Sequence, residues 1–247
     1  MAATILHQNV ADSASSIEDV AEEAANPYYP IGSTITNWTP NELSVLALLG
    51  AFTSASVVLF TATFVLVRRL QPSLTRAELL TIMWFVLSGT IHIVFEGYYV
   101  RNYATLGSHQ TLLGQMWKEY ALSDSRYLTQ NGLVLCLETA TVFVWGPICL
   151  LVAALVVFRS PWRFSLQIIV SMAHIYGDVV YYATSIFDHA VHGISYSRPE
   201  PFYFWFYFVF MNSLWIVIPG VLIYQACSEA ASAIAITSAV GESKKAD

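Results

Sequence analysis

Uncharged, apolar stretches alternate along this chain with short polar ones, and the apolar lengths are those of membrane crossings. A helix through the hydrocarbon layer needs about 20 residues that do without water. Five stretches reach that length: Leu43 to Val67, Leu79 to Val100, Leu133 to Phe158, Phe164 to Phe187 and Phe202 to Cys227. The pattern predicts an all-α membrane protein, a five-helix transmembrane bundle over residues 43–227. A helix satisfies its own backbone where no water can.

The polar intervals punctuate this pattern. In "NWTPNEL", Thr39 and Asn41 are helix-start residue types, and Pro40 is tolerated in a first turn. "RRLQPSLTRAE" closes the first helix with cations and then breaks the chain at Pro72. The connection from Arg101 to Gly132 carries "WKEYALSDSRY" and is too long for a turn, so it is expected to pack over one mouth of the bundle.

Composition narrows the class. Of 247 residues 56% are hydrophobic and only 11% charged, which excludes an ordinary soluble domain. Residues 1–42 carry Asp12, Glu18, Asp19, Glu22 and Glu23 without a basic region or apolar core. They read as an acidic, disordered tail and not as a cleavable signal peptide, which leaves the first span as the insertion signal. The net charge of -6 comes largely from that tail, and no basic patch with interleaved aromatics marks a nucleic-acid partner. Cys136, Cys149 and Cys227 all fall in apolar windows, which argues against disulfides and for small hydrophobic fillers. Arg68, Arg69, Arg76, Arg159, Arg163, Lys244 and Lys245 fall on one side of the membrane, and Arg101, Lys118, Arg126 and Arg198 on the other. That seven-to-four split places the C terminus in the cytoplasm.

Against this background His92, Glu96, Glu138, His174 and Asp178, with Asn212, stand out inside the spans. An ionisable side chain facing lipid costs a few kcal/mol, so each is expected to face the bundle interior. His92 and Glu96 are four apart, as are His174 and Asp178; Glu138, Thr141 and Trp145 share a face, as do Asn212 and Trp215. Polar groups can simply hold helices together, but small residues or neutral amides do so at lower cost than two carboxyls and a histidine on three helices. Metal binding is the next alternative. Yet the chain has only six histidines, and "DHAVHG" offers His189 and His192 in a loop without an evident third ligand, so no metal is expected. No lysine lies in a span to form a retinal Schiff base. Proton transfer in an apolar internal pocket fits best, because desolvation draws carboxyl and imidazole groups toward exchange near neutral pH. "PFYFWFYFVFMNSLWIVIPG" adds rings beside Asn212, of which Trp215, one turn away, is placed to face a cation.

Five segments, "IHIVFEGYYV", "WKEYALSDSRY", "CLETATVFVWGP", "IYGDVVYY" and "PFYFWFYFVFMNSLWIVIPG", resemble in order and spacing the emopamil-binding protein family of sterol Δ8-Δ7 isomerases, over about residues 79–226. The resemblance implies protonation of a ring double bond, a tertiary carbocation and loss of a neighbouring proton, with no cofactor or metal. It gives His92 and Glu96 the role of a proton-delivering or proton-accepting pair, with Glu138 and Thr141 completing the relay. Asn212 would orient an acid, Trp215 would stabilise the cation, and Tyr120 and Tyr127 would close the pocket. Amphiphilic amines that carry a protonated nitrogen are the implied inhibitors. The sequence departs from the family pattern at His174, where a glutamine is expected, and in the loop "DHAVHGISYSRPE". Those departures, with Asp178 as a further substrate contact, keep open chemistry on another terpenoid skeleton. The rival from another class, non-catalytic sterol or lipid binding, is argued against by retention of the whole set of His92, Glu96, Glu138, Thr141, Asn212 and Trp215. Pairing as a homodimer is also left open. Residues 228–247 form a tail ending in "KKAD", whose Lys244 and Lys245 resemble the dilysine signal of the endoplasmic reticulum membrane.

Overall fold

The computed structural model describes residues 26–246, with side chains through residue 239. Five of its helices are long and apolar enough to span a membrane: α1 (Val45–Leu70), α2 (Arg76–Asn102), α4 (Gly132–Val157), α5 (Trp162–His192) and α6. The last opens over Phe202–Met211 and continues over Asn212–Ala246, so residues expected to form a separate tail after 227 prolong the helix. A short helix, α3 (Leu112–Tyr120), lies in the connection between α2 and α4. Among the described residues there is no strand.

Helix ends follow local chemistry. The side chain of Ser44 accepts the Ala47 amide at 3.3 Å and starts α1. Thr39 and Asn41 therefore do not cap this helix. The Thr39 carbonyl accepts from Lys118 Nζ at 2.9 Å, and Asn41 Nδ2 donates to the Gln115 carbonyl at 2.9 Å, so both tie the chain to α3. A reciprocal capping box between Thr75 and Glu78 starts α2 ahead of Leu79, where apolarity alone placed the start. α5 runs through "DHAVH" to the left-handed Gly193 (φ 69°), so His189 and His192 sit on a helix and not in a loop.

Three of the five spans depart from regular α geometry at the level of the unusual polar residues. α2 is π-helical over Ile91–Glu96, α4 over Thr141–Trp145, and α6 over Phe202–Met211, immediately before Asn212. A π turn inserts a residue, re-aims the side chains that follow and leaves carbonyls open to other donors, which is why such turns concentrate at functional sites. In α6 the Phe208 carbonyl is reached by Asn212 Nδ2 at 2.7 Å and by the Tyr182 hydroxyl at 2.9 Å.

Small residues let α2 and α4 approach at this level. A Cβ at Gly89 would lie 2.8 Å from Leu150 Cδ2, and one at Gly146 would lie 2.9 Å from Ile93 Cγ1. On one side of the polar layer a cluster that includes Ile82, Phe85, Val152, Val156 and Val170 fills the core. On the other, Tyr99, Trp117, Tyr127, Tyr181 and Phe208 pack under the α2–α4 connection. Apolar side chains such as Val58, Phe143, Ile186 and Val221 face outward, as lipid contact requires.

The connection covers one mouth of the bundle. Trp117 Nε1 donates to the Phe95 carbonyl at 2.8 Å, and the two rings stack at 4.4 Å. Asp124 and Arg126, almost fully buried, pair at 2.6 Å, while Arg126 also donates to Thr184 Oγ1 at 2.9 Å on α5 and lies over the Tyr181 ring. The stretch just before α1, expected as part of a disordered tail ending at 42, joins this cover. Tyr28 and Ile35 are buried, the Tyr28 hydroxyl donates to the Lys118 carbonyl at 2.9 Å, and Ser125 Oγ donates to the Tyr29 carbonyl. Aromatic and β-branched residues there outweigh the disorder suggested by the acidic run at 12–23, which lies outside the described part. At the opposite end Arg68 donates to the Leu74 carbonyl at 3.0 Å, Arg159 to the Ser73 carbonyl at 3.2 Å, and Arg163 pairs with Glu78 at 2.8 Å.

Candidate active site

The bundle holds a partly open cavity of about 440 Å³. That is within the size range of small-molecule sites. All ten residues singled out in the sequence line it: His92, Glu96, Tyr120, Tyr127, Glu138, Thr141, His174, Asp178, Asn212 and Trp215.

Its polar wall comes from the irregular turns. His92 Nδ1 lies 2.8 and 2.7 Å from the two Glu96 oxygens, so the proton of this pair sits on Nδ1 when Glu96 is ionised. Thr141 Oγ1 contacts Glu96 Oε2 and lies 2.7 Å from the Glu138 carbonyl oxygen, which brings α4 against α2. The Tyr127 hydroxyl donates to Glu138 Oε1 at 2.7 Å, and Glu138 Oε2 is buried without a partner. On α6, Asn212 accepts from the Tyr120 hydroxyl at 3.0 Å. Trp215 lines the cavity with Trp84 behind it, ring centroids 5.4 Å apart.

His174 continues the wall on α5, its Nε2 3.1 Å from His92 Nε2 and 3.7 Å from Cys149 Sγ. His174 Nδ1 and Asp178 Oδ2 are buried without hydrogen-bond partners. His189 and His192, the close histidine pair in the sequence, are exposed, and His192 pairs with Asp188 at 3.1 Å. The convergence of metal-ligand types lies instead at His92, Cys149 and His174, all buried. Cys149 thus has a neighbourhood that its reading as a filler did not suggest.

Tyr120 and Tyr127 enter from the cover, and the buried Asp124–Arg126 pair beside Tyr127 fixes their approach. Desolvation holds the Tyr127 and Tyr120 hydroxyls above their ordinary range, so both remain donors. Glu119, not anticipated, also lines the cavity, and burial raises its carboxyl above the usual range, partly offset by the Tyr207 hydroxyl at 3.5 Å. Its signal was its position beside Tyr120 on a short helix whose Met116 and Trp117 also line the cavity.

The family model of EXPERA, the expanded EBP superfamily, matches residues 112–226. The chain is 39% identical over 202 residues to the 3-beta-hydroxysteroid-Delta(8),Delta(7)-isomerase of Rattus norvegicus, covering 81% of this chain and 86% of the relative. With the mouse (Mus musculus) protein of the same name it shares 38% over 209 residues, 84% of this chain and 90% of the relative. The chain belongs to the EXPERA superfamily. A more distant relative, the protoglabretal synthase of Citrus sinensis, is 30% identical over 174 residues, 70% of this chain and 80% of its own. In this EXPERA protein the matched region takes in α3, α4, α5 and α6 as far as residue 226, while His92 and Glu96 come from α2, ahead of it.

Proposed function

We propose that this chain is an enzyme of the membrane that moves a sterol double bond from Δ8 to Δ7. An acid adds its proton to C9 of the C8=C9 bond, leaving a tertiary cation at C8. A base removes a proton from C7, and the released electron pair closes the C7=C8 bond. One proton enters and one leaves, so the chain's own acids and bases suffice.

The observation that carries this reading is the unequal wiring of the two carboxyls in one cavity. Glu138 has one oxygen held by Tyr127 and the other unpartnered, an arrangement suited to a carboxylic acid that offers its proton. Glu96 has both oxygens engaged by His92 and one by Thr141, which favours the carboxylate. That difference supports Glu138 as donor and the His92–Glu96 pair as acceptor, with the Thr141 hydroxyl, anchored on the Glu138 main-chain carbonyl, holding the Glu96 carboxylate in place. Asn212 holds Tyr120 at the mouth, and the Trp215 face stabilises the cation. Protonated amphiphilic amines would then act as inhibitors by imitating that charge.

A second reading, action on a more oxygenated terpenoid, is favoured by one observation: His174 Nδ1 and Asp178 Oδ2 leave polar atoms unpartnered at the cavity, free to meet an additional hydroxyl. For location, we propose the endoplasmic reticulum membrane with the C terminus cytoplasmic. Lys244 and Lys245, whose side chains fall outside those described, would form the retrieval signal. Expression in cells lacking their own sterol isomerase, followed by mass spectrometry, tests the activity. Conversion of accumulated Δ8 sterols to Δ7 sterols is the expected result. Unchanged Δ8 sterols, with the protein present in the membrane, would contradict it.

A further inference from the structure

Cys149 sits one turn beyond Trp145 on α4, fully buried, with no assigned part in the proton chemistry. Its Sγ, His174 Nε2 and His92 Nε2 lie within 4.8 Å of one another, with the adjacent separations 3.7 and 3.1 Å. A tetrahedral zinc ion, with bonds of about 2.0–2.1 Å to nitrogen and about 2.3 Å to sulfur, sets its ligand atoms about 3.3–3.6 Å apart. Two of the three separations are therefore close to ligand spacing before any ion binds. The second observation is independent of that spacing. His92 gives its other ring nitrogen to the Glu96 carboxylate, the outer contact that fixes a metal-binding imidazole, and so aims its Nε2 lone pair at His174 Nε2. The third is the burial of all three side chains, with both histidines reached from the cavity.

We infer that His92, Cys149 and His174 form a binding site for a thiolate- and imidazole-preferring d10 ion such as Zn2+, whose occupation withdraws His92 from proton transfer. The ion replaces the proton of the Cys149 thiol, which leaves to solvent. His174 binds as the neutral tautomer with its proton moved to Nδ1, and His92 keeps its proton on Nδ1 toward Glu96. Each ion bound as a divalent cation thus releases one proton. The fourth position opens on the cavity, and while the ion is present the His92 Nε2 lone pair is bonded to metal.

The test uses the full chain, freed of metal with a chelator and placed in lipid nanodiscs. Co2+ is added first, because tetrahedral thiolate–cobalt coordination has its own charge-transfer absorption. One equivalent is expected to produce that band, and Cys149→Ser is expected to abolish it. Zn2+ measured by chelator competition should bind the variant at least tenfold more weakly. The isomerase activity of wild type should fall with free Zn2+, while Cys149→Ser keeps basal activity and resists. Should the serine variant unfold, Cys149→Ala and His174→Gln take its place in the binding measurement. A missing thiolate–cobalt band, or variants that bind Zn2+ as wild type does, would overturn the site and leave an ordinary hydrogen bond between two histidines. The binding arm needs no turnover, so its outcome is separate from that of the proposed reaction.

Discussion

Gly146 on α4 faces His92 on α2 so closely that a Cβ there would lie 3.0 Å from His92 Cβ and 2.9 Å from Ile93 Cγ1. Contacts that tight mean that something must shift. Gly146→Ala is therefore expected to push α2 away and lengthen the His92 contacts to Glu96 and His174. Overpacking typically costs about 1–3 kcal/mol, against which alanine returns about 1 kcal/mol of helix propensity. Stability should change little while kcat falls at least tenfold, since small misplacements of reacting groups are expensive. Thermal unfolding and turnover of the purified variant check the split.

The Asp124–Arg126 pair is nearly inaccessible, at 0% and 1% side-chain exposure. Removing one member strands a buried charge, which typically costs about 3–5 kcal/mol. Asp124→Asn and Arg126→Leu should each lower the midpoint of unfolding markedly and loosen the cover that carries Tyr120 and Tyr127. Limited proteolysis should cut the α2–α4 connection faster in both variants. Cleavage at the wild-type rate would show that the pair does not anchor the cover.

Burial holds the Glu119 carboxyl above its ordinary range of about 4.3. A raised folded-state value favours the protonated form. Glu119 therefore contributes stability at acid pH that is lost as pH rises past the folded value. Glu119→Gln is neutral throughout, so its melting temperature relative to wild type should increase as pH rises above the glutamate range. A difference independent of pH would remove the buried charge as its cause.

Trp215 and the two carboxyls surround one cavity, which predicts tighter binding of an amphiphilic amine with a protonated nitrogen than of its neutral carbon isostere. Competition assays on wild type should separate the two compounds by at least tenfold, and Trp215→Leu should narrow the gap. Equal inhibition by both would take electrostatic stabilisation out of the mechanism.

The five spans were legible because membrane crossing imposes length and apolarity, and the polar residues within them stood out for the same reason. What escaped the sequence depends on local geometry. The π turns at Ile91–Glu96 and Thr141–Trp145 have no composition signal, and they decide how His92, Glu96 and Thr141 meet. Ser44 and Thr75 displaced the expected helix starts because single side-chain caps act against a smooth hydropathy pattern. Cys149 looked like an apolar filler, since nothing along the chain says that α4 turns it toward His174 on α5. The folded stretch that includes Tyr28 and Ile35 was masked by the acidic residues preceding it.

The central claim is that Glu138 hands a proton to the substrate and the His92–Glu96 pair takes one away. The direct measurement is a single turnover of a Δ8 sterol by enzyme equilibrated in D2O, with the product read by mass spectrometry and NMR. The account predicts a Δ7 sterol carrying one deuterium at C9 from wild type, and at least 10²-fold slower formation by folded Glu138→Gln, as expected for loss of a general acid. A Δ7 product without deuterium at C9, or a Glu138→Gln rate within about threefold of wild type, would contradict it.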